Sequence, residues 1–171
     1  MKLVRAFALA TSCALVTGAG AALSMLTACT RAEQAPAVGY TLLDGHQSNL
    51  AALQGRVVLV NFWATDCVPC VEEMPQFAET WRTFAPAGYD TLAVSMAYDP
   101  PFAVSNFAQS RKLPFGVAID NTGEIAARFG DVRATPTSFL IDRRGRIVRR
   151  WAGRTDFVEL RARIAGLLEE R

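Results

Sequence analysis

The most constraining feature of the chain is an apolar run, residues 57–63, followed closely by Cys67-Val68-Pro69-Cys70. A continuous run of this length and type predicts a central strand buried on both faces. A helix that begins at the cysteines would hold the first sulfur at its N-terminus, where unpaired N–H groups and the helix dipole favour an anion. Because the thiolate is the reactive form of cysteine, we expect Cys67 to be a nucleophile. Cys70 lies one turn further along the same helix face, within reach of whatever Cys67 captures.

The composition limits the class of protein. With 171 residues, 51% hydrophobic and 20% charged, the chain is long enough for one globular domain with a full core. The net charge of +2 comes from Lys2 and Arg5, and the remaining chain carries 16 basic and 16 acidic residues. A neutral domain lacks the clustered basic surface that nucleic-acid binding requires, so we expect no nucleic-acid partner.

The cysteines favour redox chemistry over a structural or metal-binding role. Cys13 and Cys29 belong to the N-terminal segment, which leaves Cys67 and Cys70 as the pair within the domain. A disulfide across three residues closes a very short loop, so its entropic stabilisation is small. Zinc needs about four ligands, and the chain offers one CxxC and the distant His46. We therefore expect neither a metal nor a cofactor.

Residues 1–28 are predicted to be a signal peptide. Lys2 and Arg5 form a positive start, and no further charge occurs before Arg31. The segment ends in Leu26-Thr27-Ala28-Cys29, which resembles the lipobox of bacterial lipoproteins and implies lipidation of Cys29. Two alternatives are an uncleaved membrane anchor, since about 20 apolar residues span a bilayer, and an ordinary cleaved signal. All three place the domain outside the cytoplasm, and residues 29–38 are predicted to be a lipidated N-terminus and a tether.

Residues 39–171 are predicted to form one α/β domain with a mixed sheet, because strands alternate with helices before a closing hairpin and helix. An N-terminal β-hairpin is expected over residues 39–56, with its turn at Asp44-Gly45. The helix after the cysteines carries a core-facing stripe and a kink at Pro75. Further strands are predicted at 91–97, 115–119, 137–141 and 146–151, and further helices from 100, at 123–129 and at about 156–170.

Three segments resemble the TlpA/ResA-like membrane-anchored thioredoxins. They are residues 62–70 around the CxxC, Glu72-Glu73-Met74-Pro75 directly after it, and residues 134–142 with their Thr-Pro pair. The resemblance spans about residues 39–170. It implies a thioredoxin fold, in which a central mixed sheet is flanked by helices, and an exported thiol–disulfide oxidoreductase. Members are usually reductants, and several serve cytochrome c maturation or copper-protein assembly.

The resemblance also implies roles for individual residues. Cys67 would be the attacking thiol and Cys70 the resolving thiol of a redox-active disulfide. Pro136 would be a cis-proline facing them, and Glu73 would be a glutamate held near the dithiol. Asn61 stands where cytosolic thioredoxins keep a buried aspartate, and an amide cannot transfer a proton. Glu73 is therefore the candidate acid/base, with electrostatic stabilisation of the helix N-terminus as its alternative role.

Substrate contacts are expected at Trp63, Val68, Pro69 and Thr135, where Trp63 would form a wall that packs the active-site turn. The partners implied are an exported protein that carries a disulfide, a membrane thiol reductase that recharges the dithiol, and the lipid bilayer at the N-terminus. Many members have tryptophan where this chain has Asp66. A carboxylate beside Cys67 opposes thiolate formation and favours a reductant. A disulfide oxidant or isomerase, a thiol peroxidase and a metallochaperone remain the alternative functions.

Overall fold

The computed structural model describes residues 33–170. Seven strands and four α-helices follow one another in the order β1 Gly39–Thr41, β2 Gln47–Asn49, β3 Val57–Trp63, α1 Val68–Phe84, β4 Tyr89–Ser95, α2 Pro101–Ser110, β5 Gly116–Ile119, α3 Glu124–Arg128, β6 Thr137–Ile141, β7 Ile147–Ala152 and α4 Phe157–Glu169. Strands β1 and β2 form the predicted antiparallel hairpin, and a short 3-10 helix, Leu50–Leu53, follows it. The described residues confirm the predicted α/β class.

The central sheet has five strands in the order β5-β4-β3-β6-β7. Strands β3, β4 and β5 run parallel, whereas β6 is antiparallel to β3 and β7 is antiparallel to β6. Strand β3 is therefore central, as its apolar sequence, broken only by Asn61, predicts, and every one of its residues is buried. The carboxyl ends of β3 and β4 and the amino end of β6 meet at one edge of the sheet, which we call the dithiol edge.

The two faces of the sheet are covered by different layers because successive side chains of a strand point in opposite directions. Leu59 of β3 belongs to the core under α1, α2 and α4, together with Met74 and Leu160. Val60 belongs to the core under the hairpin and α3. By the same alternation Asn61 lies on the α1 side, which places a polar side chain beneath the helix that carries the cysteines.

The structure differs from the sequence-based expectation in two segments. Strand β4 begins at Tyr89 rather than at 91, because Tyr89 and Asp90 pair with the first residues of β3. Residues 33–38, predicted as part of a tether, instead lie against the domain: Ile147 donates its N–H to the carbonyl of Glu33 over 2.7 Å, and Val38 is buried in the core. Short pairing segments of this kind carry no sequence periodicity, which is why the pattern did not predict them.

The predicted signal peptide and Cys29 lie outside the described residues. Within residues 33–170, no helix combines the length and apolar character needed to cross a bilayer.

Candidate active site

The two cysteines join β3 to α1 at the dithiol edge. Cys67 is the N-cap residue of α1, and its Sγ accepts the N–H of Cys70 at 3.3 Å. The two sulfurs form a disulfide, 1.98 Å apart. Cys67 is half-buried, whereas Cys70 is only 1% exposed. An incoming disulfide can therefore reach Cys67 but not Cys70.

Pro136 lies at the same edge. The Thr135–Pro136 peptide bond is cis, as the resemblance implies. Phe62 pairs with Thr137, so the preceding Pro136 lies beside the end of β3, from which the CxxC segment departs. The Pro136 carbonyl accepts the N–H of Gly153 at 2.8 Å. Thr135 is half-buried, and neither its N–H nor its carbonyl is used in a hydrogen bond among residues 33–170.

Glu73 is a buried carboxylate on the helix that carries the dithiol. It is 2% exposed, and its Oε1 accepts the backbone N–H of Thr155 at 2.6 Å. Its Oε2 has no hydrogen-bond partner among residues 33–170. Burial raises the pKa of Glu73, and the opposing effects of the Thr155 N–H and the Arg154 charge do not cancel this rise. A carboxyl group whose pKa is shifted in this direction keeps its proton to a higher pH than an ordinary glutamate, which favours the acid/base role.

A chain of buried polar groups connects Glu73 to the sheet. Asn61 donates its Nδ2–H to Ser138 Oγ over 2.9 Å, and Ser138 Oγ lies 3.1 Å from Thr155 Oγ1. All four side chains are buried. Neither Ser138 nor Thr155 was predicted from the sequence. A serine in the buried strand β6, directly before the apolar residues 139–141, is the one local signal that could have indicated the first of them.

The residues next to this chain form an ion pair at the surface. Arg154, directly before Thr155, pairs with Glu72, directly before Glu73. Both side chains are more than half exposed. Two consecutive residues of the β7–α4 loop thus contact two consecutive residues of α1. The Arg154–Glu72 contact is exposed to solvent, and the Thr155–Glu73 contact is buried.

A second buried carboxylate, Asp99, holds the segment that leads into the CxxC. It accepts the backbone N–H of Thr65 at 2.7 Å and also the Thr65 hydroxyl. Ser95, the last residue of β4, donates its hydroxyl to Asp99 Oδ2 over 2.9 Å. The β4–α2 loop is thereby fixed to the residues just before Cys67. The sequence analysis did not identify this contact either.

The expected substrate contacts divide into two groups. Trp63 is fully buried and packs against Phe107, with the ring centroids 5.1 Å apart. It cannot touch a substrate, so its assignment as a contact residue is wrong, because β3 is covered on both faces up to its last residue. Val68 is 66% exposed and Pro69 is half-buried, so both are accessible beside Cys67.

Within residues 33–170, no three His, Cys, Asp or Glu side chains come together in a way that could hold a metal ion. The candidate site consists of the dithiol, the cis-proline and the buried glutamate.

Comparison with known proteins identifies the family. The Redoxin family model matches residues 30–158. Thiol-disulfide oxidoreductase ResA of Bacillus thuringiensis subsp. konkukian is 38% identical over 121 residues, which cover 71% of this chain and 69% of the relative. ResA of Geobacillus kaustophilus is 35% identical over 71% of this chain and 68% of the relative.

A solved structure shows the same fold. The crystal structure of a thiol:disulfide interchange protein of the thioredoxin family from Chlorobium tepidum matches with a TM-score of 0.74 and 26% identity, over 81% of this chain and 97% of that one. The chain therefore belongs to the Redoxin family and, within it, to the thiol–disulfide oxidoreductases of the ResA type, with a thioredoxin fold.

Proposed function

We propose that this chain is an exported, membrane-anchored enzyme that reduces disulfides in partner proteins. The observation that supports the reducing direction is the charge around the dithiol. Asp66 lies next to Cys67 in the chain, and its side chain is exposed. Negative charge disfavours the thiolate form of Cys67. The reduced pair is therefore less stable than it would be beside basic residues. A less stabilised reduced form is a better electron donor.

The proposed cycle has two exchange steps. The Cys67 thiolate attacks one sulfur of the partner disulfide, the partner S–S bond breaks, and a mixed disulfide forms while the second partner sulfur leaves and takes up a proton. Cys70 then loses its proton to ionised Glu73 and attacks Cys67. The Cys67–partner bond breaks as the Cys67–Cys70 disulfide forms, and the departing partner sulfur takes up the proton held by Glu73, so the partner is released as a dithiol. Two electrons and two protons pass to the partner in each cycle.

Thr135 is the proposed backbone contact for the partner. Its N–H and carbonyl, which have no hydrogen-bond partner among residues 33–170, lie next to the cis-proline at the edge where Cys67 is accessible. An extended partner segment can pair with them as a short added strand, and such pairing is independent of the partner sequence. Val68 and Pro69 would line the same contact from the cysteine side.

The oxidised enzyme must regain two electrons, which we assign to a membrane thiol reductase. We expect the partners among the proteins of cytochrome c maturation or copper-protein assembly, because members of the resembled family serve these processes.

The reduction potential of the full-length protein tests the direction of electron flow. Equilibration with glutathione or dithiothreitol buffers should give a value near that of thioredoxin, about −270 mV. A value near about −120 mV, typical of strongly oxidising members of the fold, would contradict the proposal and support a disulfide oxidant.

Export and anchoring rest on the N-terminal sequence, in particular on Cys29 as the proposed lipidated residue. Metabolic labelling with a fatty acid in the producing cell should label the wild type but not Cys29→Ser. If the wild type carries no label and still sediments with membranes, the uncleaved anchor is the correct alternative. Release of unlabelled protein into the soluble fraction would indicate an ordinary cleaved signal.

A further inference from the structure

Two aromatic side chains are exposed at the dithiol edge without a role in the cycle described above. Tyr98 is 60% exposed and Phe102 is 83% exposed. They lie in the loop after β4 and in the first turn of α2. Strands β3 and β4 are parallel neighbours, and Trp63 pairs with Ser95 at their carboxyl ends. The chain that carries the two rings therefore leaves the sheet at the same edge as the chain that carries Cys67.

Asp99 fixes this loop against the active-site segment. It lies between Tyr98 and Phe102 in the chain and accepts two hydrogen bonds from Thr65, two residues before Cys67. Its own N–H is bonded to the carbonyl of Met96 over 3.0 Å. Consecutive Cα atoms are about 3.8 Å apart. Tyr98 is the residue before Asp99, and Cys67 is the second residue after Thr65, so only a short length of chain separates each of them from this contact. The backbone that carries the two exposed rings is thus fixed to the segment that leads into Cys67.

We propose that Tyr98 and Phe102, together with Val68, form a docking surface for an extended, apolar segment of the partner next to its disulfide. A partner sulfur must reach Cys67 Sγ, so the chain on either side of that sulfur has to cross the dithiol edge. Strand β4 and its loop lie on one side of β3, and β6 with Thr135 lies on the other. The partner segment is therefore contacted by backbone on the Thr135 side and by aromatic rings on the Tyr98 side.

This arrangement makes recognition depend on the partner sequence. Backbone pairing accepts any side chain, whereas apolar contact with exposed rings favours aliphatic and aromatic neighbours. Tyr98 and Phe102 offer exposed aromatic surface at the edge where the partner must approach. The inference rests on the thiol–disulfide exchange activity of the family and adds the class of partner segment: unfolded or extended, with apolar residues within a few positions of the cysteine.

Reduction of two matched peptides tests the proposal. Each peptide carries one intramolecular disulfide, flanked by Leu and Phe in the first and by Ser at the same positions in the second. Full-length reduced enzyme is mixed with each, and samples quenched with acid are analysed by mass spectrometry. We expect wild type to reduce the apolar peptide about tenfold faster, the effect of one well-buried contact residue. In the Tyr98→Ser/Phe102→Ser variant this ratio should fall below about twofold.

The ratio of the two rates is the readout, because it cancels any change in the dithiol itself. Leu43→Ser, which replaces an exposed apolar residue of the hairpin, is the matched control and should keep the wild-type ratio. Equal rates for both peptides with wild type would overturn the docking surface but leave the reductase function intact, whereas no reduction of either peptide would contradict the reductase function. Concentration-dependent self-association of wild type that the double substitution abolishes would identify a second copy of the chain as the occupant and would also overturn the proposal.

Discussion

Thr155 donates its backbone N–H to Glu73 Oε1 over 2.6 Å, which joins the loop before α4 to the helix that carries the dithiol. The same loop donates the Gly153 N–H to the carbonyl of Pro136. One short segment thus contacts both the buried carboxylate and the cis-proline. The position of Glu73 is set by this loop as well as by α1, so changes in the loop should alter the chemistry of the cysteines without touching them.

Glu73→Gln should slow the resolving step. A glutamine cannot accept the Cys70 proton, so breakdown of the mixed disulfide should become about 100-fold slower, the lower end of general acid–base effects. Single-turnover kinetics between pH 5 and 9 with a peptide disulfide measure this step. Glu72→Gln, one position earlier and exposed, is the control and should stay close to wild type. Equal rates for Glu73→Gln and Glu72→Gln would show that Glu73 does not handle the proton.

Glu73 should also make stability pH-dependent. Because its pKa in the folded protein is raised above the ordinary value of 4.5, the unfolded chain binds fewer protons than the folded one once the pH exceeds that value. Stability contributed by this group is therefore lost as pH rises through the raised pKa. Urea unfolding of the oxidised protein at pH 5 and pH 8 should show a smaller loss for Glu73→Gln than for wild type. Parallel losses would contradict the raised pKa.

Ser138→Ala should destabilise the domain more than the removal of a single hydroxyl group suggests. The change leaves Asn61 Nδ2 and Thr155 Oγ1 without the partner they have in the core. A buried polar group without a partner costs about 1–3 kcal/mol. The free energy of unfolding in urea measures the loss, and Ser110→Ala, an exposed serine at the end of α2, should change it by less than about 0.5 kcal/mol. A loss as small as that of the control would mean that water replaces Ser138.

Cys70→Ser should trap partners on the enzyme. Cys67 remains half-exposed and able to attack, but no second thiol is available to release the mixed disulfide. Covalent adducts should appear on non-reducing gels of producing cells and disappear on reduction. Cys67→Ser is the matched control and should yield none. Adducts formed by Cys67→Ser but not by Cys70→Ser would reverse the assigned roles.

Asp66→Asn should make Cys67 more reactive at neutral pH. Asp66 is exposed, so its repulsion of a thiolate about 7 Å away acts through water and changes the thiolate population about threefold. The rate of alkylation of the reduced enzyme by iodoacetamide at pH 7 measures that population. An increase at low salt that shrinks at 1 M salt is the expected pattern. An unchanged rate would remove Asp66 from the argument for a reductant.

The sequence predicted those parts of the fold that have a local signal. Strand β3 and helix α1 were predicted because a largely apolar run and a core-facing stripe are visible within a few residues. The role of Trp63 was misjudged, because proximity to a cysteine in the chain does not show on which side of a covered sheet a ring lies.

The contacts that complete the site could not be predicted, because they join distant residues. Glu73 and Thr155 are separated by 82 positions, and Thr65 and Asp99 by 34. A hydrogen bond between a carboxylate and a backbone N–H places no demand on the identity of the donor residue. Such contacts become visible only when the strand order brings the elements together.

Residues 33–38 fix the place at which the chain enters the domain. Gln34 pairs with Arg146, and Ala35 donates its N–H to Gly145, so the chain enters beside the β6–β7 turn. That turn lies at the end of the sheet opposite to Cys67, and the seven residues of β3 between the two ends span about 20 Å. A partner that approaches Cys67 therefore meets the end of the sheet remote from the one against which residues 33–38 pack.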